Sequence, residues 1–197
     1  LVTNIPEDAL TCGKDTFLAD EILMSAGGDA ANEASVLAKL GSRSALLTRL
    51  DKKEAGNMIF DDLSRQGVDT SLLIRPEDCR TFTAIVVVKP DGSHIFFDGP
   101  GHNFTPKLSD VDLSVFGSTR FVTAGSLYAL GELDGEGIAK IFRAAQESGA
   151  VTVADMNFDS EGKGPQAADP VYPHTDYLMP SYDEAVYVTG EREPERI

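Results

Sequence analysis

The sequence has 197 residues, of which 42% are hydrophobic, and this is enough apolar side chain for one large domain or for one domain with a small appendage. Its net charge of −15 and its isoelectric point near 4.4 would repel a phosphate backbone, which disfavours nucleic acid as a partner. No run approaches the roughly 18 apolar residues of a membrane helix, and no basic segment followed by an apolar run opens the chain. The two isolated cysteines, Cys12 and Cys79, fit a reducing compartment. We therefore expect a cytoplasmic globular protein without membrane or nucleic-acid partners.

The first third of the chain alternates between strand-like and helical patterns. Short apolar stretches indicate strands, and apolar residues that recur every three or four positions indicate helices. The predicted elements are a strand at 1–5, a strand at 16–23, a helix at 30–40, a strand at 44–49, a helix at 55–66 and an extended segment at 68–74.

The clearest local signal is a β-hairpin near the middle of the chain. Residues 81–88 and 93–98 are rich in β-branched and aromatic side chains, and they flank the turn sequence Pro90-Asp91-Gly92. A connection this short requires antiparallel strands. The glycine and proline residues within 99–103 predict an irregular loop after the hairpin.

The second half of the chain alternates helices with short apolar strands. The predicted elements are a helix at 109–116, a strand at 120–124, a helix at 134–148, a strand at 150–155, a strand at 176–179 and a helix at 181–189. Strands separated by helices imply right-handed crossovers and a parallel sheet. The stretch 156–173 is rich in Gly, Asp and Pro and predicts an irregular, mobile segment.

The glycine pair Gly27-Gly28 runs directly into the first predicted helix. Neither residue has a Cβ, so the backbone can approach a ligand closely at this turn. Asn32 in the first turns of the helix offers both a donor and an acceptor, which suits a ligand with hydroxyl groups. An ordinary loop that leads into a helix is an equally good interpretation of the turn by itself.

A series of short motifs follows this turn in a fixed order. The motifs are Gly27-Gly28-Asp29-Ala30-Ala31-Asn32-Glu33-Ala34, Leu40-Gly41, Gly56, Gly67-Val68-Asp69, Gly101-His102-Asn103, Gly125-Ser126, Asp155-Met156-Asn157 and Pro180-Ser181-Tyr182-Asp183-Glu184. Their order and spacing resemble those of the ribokinase-like (PfkB) family of carbohydrate and nucleoside kinases, along nearly the whole chain.

The resemblance implies the fold. It implies an α/β protein with a three-layer α/β/α architecture, a mostly parallel central sheet and a small β lid. Residues 1–197 would be the N-terminal and middle part of one such kinase domain, with lid strands at about 12–24 and 80–98.

The resemblance also implies ATP-dependent phosphorylation of a hydroxyl group on a small sugar. ATP and Mg²⁺ are the implied cofactors, and a monovalent cation is a further candidate activator. Glu184 would contact the magnesium ion through water. The implied substrate-binding residues are Gly27, Gly28, Asn32, Asn103, Gly125, Asp155 and Asn157. Independently of the resemblance, an exposed apolar face of the hairpin, with Val86, Val88, Phe96 or Phe97 depending on register, predicts a homodimer through the lid strands.

Three features depart from the family pattern. Asp51-Lys52-Lys53 stands where many relatives have Gly-x-Asp, and Ser181 replaces the asparagine of an Asn-x-x-Glu motif. Ser181 and Glu184 also fit a helix capping box, which would give Glu184 a structural role. The family's second signature, Asp-Thr-x-Gly-Ala-Gly-Asp, does not occur up to Ile197. We therefore expect an incomplete version of a longer protein, in which the general base lies beyond Ile197 and no catalytic residue can be assigned.

Three alternatives remain at this point. A nucleoside kinase would need an aromatic platform for the base, with Phe17, Phe82, Phe97 and Tyr128 as candidates. A sugar acid as substrate would need cationic side chains, with Arg49, Arg80 and Lys89 as candidates. A protein that lacks the second signature altogether would bind a sugar without phosphorylating it.

Overall fold

The computed structural model describes residues 2–3, 13, 15–16, 19–99 and 101–197. Cys12 and Phe17, for which the sequence analysis makes predictions, lie outside the described residues. So do residues 1, 4 and 5 of the first predicted strand and parts of the first predicted lid segment. The helices and strands in chain order are β1 (Val2–Thr3), β2 (Glu21–Ile22), α1 (Asp29–Lys39), α2 (Glu54–Arg65), β3 (Ala84–Val88), β4 (His94–Asp98), β5 (Phe121–Leu127), α3 (Glu136–Glu147), β6 (Val151–Met156), β7 (Tyr177–Met179) and α4 (Tyr182–Thr189).

The three strands β5, β6 and β7 form a parallel sheet in that order. Thr152, Ala154 and Met156 alternate along β6 and are buried, as expected for a strand with one face on the core. The amphipathic helix α3 covers that face, and its Phe142 is fully buried in the resulting apolar cluster. Asp155 therefore belongs to the opposite face of the sheet, at the carboxyl end of its strand.

Helices α1 and α2 enclose a second, smaller apolar cluster. Ala34 on α1 and Leu63 on α2 are buried there together with Leu46 and Val68. The chain around Leu46 and Val68 runs parallel, because the amide of Leu46 donates to the carbonyl of Asp69 at 3.3 Å and the amide of Asp69 donates to Ser44 at 2.8 Å. The strands predicted at 44–49 and 68–74 are thus present as isolated parallel bridges rather than as continuous strands.

The hairpin predicted in the middle of the chain is confirmed. β3 and β4 are antiparallel, with Val88 opposite His94, and Gly92 adopts the positive φ of +85° that the turn requires. They belong to a four-stranded sheet with the order β2-β1-β3-β4, which we call the lid sheet.

Two sequence predictions for the second half are wrong. The helix predicted at 109–116 consists of two 3₁₀ segments, Leu108–Asp110 and Leu113–Ser118, because Asp112 accepts the amide of Ser114 and starts a new turn there. The stretch 156–173 is irregular after Met156, as predicted, but the prediction that it is loose is wrong, because Ala168 and Val171 are buried against the core.

The α/β class expected from the sequence is confirmed, since helices flank a parallel sheet. In the described part of the chain, none of the helices combines the length and the apolar character needed to cross a bilayer.

Candidate functional site

The turn before α1 has a backbone that only glycine adopts easily. Gly28 is the N-terminal cap of α1 with φ +99° and ψ 138°, and its carbonyl accepts the amide of Asn32 at 2.9 Å. The preceding residue, Gly27, is exposed. Asn32 is also exposed, and its side chain has no hydrogen-bond partner in the part of the chain that the structure describes. The side-chain amide of Asn32 is therefore available to a ligand at this turn.

Gly125 brings the end of β5 against this same turn. A Cβ on Gly125 would lie 2.9 Å from the amide nitrogen of Ala30 and 3.2 Å from the Cβ of Asp29. Such distances are shorter than van der Waals contact, so any larger residue would push α1 away from β5. Gly125 is required for this close packing, whereas its predicted contact with substrate remains a prediction.

A β-bulge lies at the end of β5. The strand advances from Ala124 to Leu127 while β6 advances from Ala154 to Met156, so β5 carries one extra residue. Ser126 lies in this bulge with a φ of +66°, an unusual value for a residue other than glycine. Such strained backbone is concentrated at functional sites.

The hydroxyl of Ser126 donates to the carboxylate of Asp29. Both residues stand in the motifs quoted above, but neither is among the substrate-binding residues that the resemblance implies. Asp29 and Glu33 are four residues apart on α1 and so share one helix face, which is a signal that the sequence does contain. The pairing with Ser126 joins residues far apart in the chain, and no local pattern encodes it.

Two carboxyl groups at this site have raised pKa values. Burial raises the pKa of Asp155, and the nearby Asp29 and Glu184 raise it further, although the amides of Met156 and Ser126 donate to it. Burial likewise raises the pKa of Glu33, against a hydrogen bond from Thr123 that lowers it. The site thus concentrates acidic side chains in a partly dehydrated environment.

We expect Asp155→Asn to make the protein more stable at neutral pH. The folded-state pKa of Asp155 lies above its ordinary value of 3.8, so the folded protein binds more protons than the unfolded chain, and the free energy of unfolding falls as the pH rises through this window. The destabilisation by ionised Asp155 is absent below the unfolded-state pKa and complete above the folded-state pKa. Urea unfolding at several pH values measures it. A stability difference between the variant and the wild type that is equal at pH 4 and pH 7 would contradict this account.

Asn157 follows β6 directly. Its amide donates to the carbonyl of Leu127 at 3.0 Å, and its side-chain oxygen accepts the amide of Phe158 at 2.7 Å. The side chain is exposed and its NH₂ group is available for a ligand. The structure therefore keeps Asn157 at the carboxyl end of the sheet, where open parallel sheets bind ligands.

Glu184 forms the capping box that the sequence allowed. One carboxylate oxygen, Oε2, accepts the amide of Ser181 at 2.7 Å, and the amide of Glu184 donates to the Ser181 hydroxyl at 3.4 Å. The carboxylate also lies near enough to Asp155 to raise the pKa of that residue. No group of three or more His, Cys, Asp or Glu side chains within the described ranges is arranged to hold a metal ion.

Asn103 lies in a different hydrogen-bond network from the residues above. Its Oδ1 accepts Nη1 of Arg49 at 2.5 Å and its Nδ2 donates to Asp78 at 3.0 Å. Arg49 is buried and forms an ion pair with Asp110 at 2.7 Å. Arg49 is therefore no longer a candidate to bind a sugar acid, because Asp110 already neutralises its charge. The structure brings together the α1 turn, Gly125 and Asp155, and it leaves Asn103 in this second group.

Four further residues proposed for the alternative substrates are placed as follows. Arg80 is exposed beside the lid sheet and Lys89 lies at the hairpin turn. Tyr128 is only 2% exposed and its hydroxyl donates to the carbonyl of Pro165 at 2.6 Å, so it is a core residue and cannot stack on a nucleobase. Phe82 packs on Phe104 with ring centroids 5.4 Å apart.

Comparison with known proteins points to one family. The model of the pfkB family of carbohydrate kinases matches residues 4–197. Fructokinase-2 of Oryza sativa subsp. japonica is 25% identical over 170 residues, which cover 83% of this chain and 51% of that protein. Fructokinase-2 of Solanum habrochaites is also 25% identical, over 179 residues that cover 87% of this chain and 55% of that protein. The chain thus spans about half the length of these relatives.

Solved structures agree on the fold. The crystal structure of fructokinase with bound ATP from Xylella fastidiosa superimposes with a TM-score of 0.74 at 22% identity. The match covers 96% of this chain and 60% of that one.

Proposed function

Because this chain belongs to the pfkB family of carbohydrate kinases, we propose that the protein transfers the terminal phosphoryl group of ATP to a hydroxyl of a small sugar. The observation that carries the proposal is the meeting of the Gly28 turn with the bulge at Ser126 and with Asp155. The bulge and Asp155 lie at the carboxyl ends of the parallel strands β5 and β6, where α/β proteins bind their ligands.

The site offers the groups that a sugar needs. Hydroxyl groups both donate and accept, so they pair with carboxylate oxygens and with amide groups. Asp155 supplies an acceptor, Asn32 and Asn157 supply both kinds of group, and Gly28 leaves backbone accessible at the turn. The lid sheet closes over the acceptor in this proposal, and closure excludes water that would otherwise accept the phosphoryl group.

Glu184 is the residue proposed to meet the metal ion. Its Oε2 is engaged in the capping box, while Oε1 has no hydrogen bond to a residue that the structure describes. Mg²⁺ retains water ligands readily, so a single carboxylate that acts through water suits it. When bound, the ion would neutralise charge on the phosphates of ATP. A monovalent cation and a cytoplasmic location remain parts of the same proposal.

A substrate screen tests the proposed function. The full-length protein is incubated with ATP and Mg²⁺ and with one acceptor at a time from a panel of pentoses, hexoses, sugar acids and nucleosides, and ADP release is measured. ADP release with a neutral sugar supports the proposal. Release with a nucleoside alone would favour the nucleoside kinase, and sugar binding without release from any acceptor would indicate a non-catalytic protein.

We also propose that two copies associate through the lid sheet. Ile22, Ile85 and Phe97 lie on one face of this sheet by the strand register, and they are 73%, 57% and 44% exposed. A flat apolar sheet face of this kind favours association. Sedimentation of the wild type at micromolar concentration should give a dimer, and Ile85→Asp should give a monomer. A monomeric wild type would count directly against this assembly.

A further inference from the structure

Two buried charged residues lie on either side of Leu50. Arg49 is 9% exposed and Asp51 is 4% exposed. Burial of a charge is costly unless hydrogen bonds and an opposite charge compensate for it, so the partners of these two residues indicate what they do. Each of the two has a partner in a segment that flanks the hairpin formed by β3 and β4.

Asp51 holds the segment that leads into the hairpin. The amide of Thr81 donates to Oδ2 of Asp51 at 2.9 Å, and the amide of Asp51 donates to the hydroxyl of Thr81 at 2.9 Å. Burial by itself raises the pKa of Asp51, but the amides of Thr81, Lys53 and Gly56 outweigh burial and lower the pKa. Asp51 is therefore a charged anchor for the segment that precedes β3.

Arg49 holds the segment that leaves the hairpin. Its Nε and Nη2 bind the two carboxylate oxygens of Asp110 at 2.8 and 3.0 Å, which is the two-pronged arrangement that a guanidinium favours. This pair leaves Nη1 for Oδ1 of Asn103, at 2.5 Å. The backbone of His102 pairs with that of Arg80 in both directions, at 2.8 and 3.1 Å, so the two segments are joined directly before Asn103.

This arrangement fixes which way the Asn103 amide points. A guanidinium can only donate, so the group facing Arg49 is the amide oxygen. The NH₂ group then points away from Arg49, with one N–H donated to Asp78 at 3.0 Å and one N–H remaining. The φ of Asn103 is +51°, a conformation that asparagine tolerates better than most residues.

We infer that Arg49 is a positioning residue for acceptor binding: it holds the Asn103 amide so that the remaining N–H donates to an oxygen of the acceptor sugar. Arg49 itself does not touch the substrate, since Asp110 and Asn103 occupy its guanidinium. The inference rests on the proposed sugar-kinase function and on the predicted role of Asn103. It adds a residue that acts through another one.

A double-mutant comparison in the full-length enzyme tests the coupling. Arg49→Lys keeps the charge but cannot bind Asp110 with two prongs and reach Asn103 as well. We expect Arg49→Lys and Asn103→Ala each to raise the KM for the acceptor by about 10-fold with a smaller change in kcat, and the double variant to be no worse than Asn103→Ala alone. Arg65→Lys, at an arginine whose side chain is 74% exposed, is the matched control and should leave the KM unchanged.

Two outcomes of this comparison overturn the inference. One is an unchanged KM in Arg49→Lys. The other is a fold increase in KM in the double variant that equals the product of the fold increases in the two single variants, because Arg49 would then act independently of Asn103.

Amide hydrogen exchange separates this inference from the proposed function. If the wild type releases no ADP with any acceptor, the proposed function fails, and the exchange measurement then decides the role of Arg49. Arg49→Lys should speed amide exchange over residues 101–104, because Arg49 holds this segment through Asn103. Exchange in α3, which Arg49 does not contact, should be unchanged. Unchanged exchange over 101–104 would overturn the inference even if the enzyme is active.

Discussion

Asn32→Ala is expected to raise the KM for the acceptor sugar by roughly 10- to 100-fold, which corresponds to the loss of one or two hydrogen bonds to hydroxyl groups. Asn32 is exposed in the first turn of α1, close to Gly28, and its side chain makes no hydrogen bond to another described residue. The free energy of unfolding should therefore stay nearly constant, since alanine is a better helix former than asparagine. Steady-state kinetics with varied sugar, together with urea unfolding, measure both quantities.

Lys39→Ala is the matched control for this variant. Lys39 is exposed in the last turn of the same helix α1, at the end away from Gly28, so its replacement should leave the KM unchanged. An Asn32→Ala enzyme that binds the acceptor as well as the wild type would show that the substrate does not lie at this turn.

Gly56→Ala is expected to lower the free energy of unfolding by about 3 kcal/mol or more. A Cβ at this position would lie 2.1 Å from the carbonyl oxygen of Asp51 and 2.7 Å from its Oδ1. The first of these atoms is backbone and cannot rotate away, so α2 would have to shift relative to Asp51. That shift would also weaken the hold of Asp51 on Thr81. Urea unfolding monitored by circular dichroism measures the loss.

Gly117→Ala is the corresponding control. Gly117 has no atom within 4 Å of an added Cβ and is not among the glycines with positive φ, so alanine fits there without strain. If Gly56→Ala and Gly117→Ala unfold at the same urea concentration, then α2 can move away from Asp51 without cost, and the close approach is not a constraint.

The departure at Asp51-Lys52-Lys53 is explained by the same contacts. Oδ1 of Asp51 accepts the amide of Lys53 at 2.8 Å and that of Gly56 at 3.2 Å, so this carboxylate satisfies free amides at the start of α2. The sequence indicates only that an unusual residue occupies the turn. Its partner Thr81 comes 30 residues later in the sequence, after α2, and only the tertiary structure brings the two residues together.

The sequence by itself determined α1 to α4 and the hairpin, although it also predicted a helix at 109–116 where the structure has two 3₁₀ segments. The helix predicted at 30–40 is α1 at Asp29–Lys39, and the turn Pro90-Asp91-Gly92 joins β3 to β4 as expected. These elements follow from apolar periodicity and from turn residues, which act over a few neighbouring positions. The order of short motifs likewise indicated the family that the comparison confirms.

Only the tertiary structure decided how the site is built. The bulge that places Ser126 against Asp29, the close approach of Gly125 to Ala30, and the link from Arg49 to Asn103 all join residues that are far apart in the chain. Each depends on the packing of a helix or a loop against a strand end, and no local pattern records which distant residue will be the partner. The physical reason is that burial of the apolar faces fixes these elements relative to one another, and the polar contacts form where that packing leaves them.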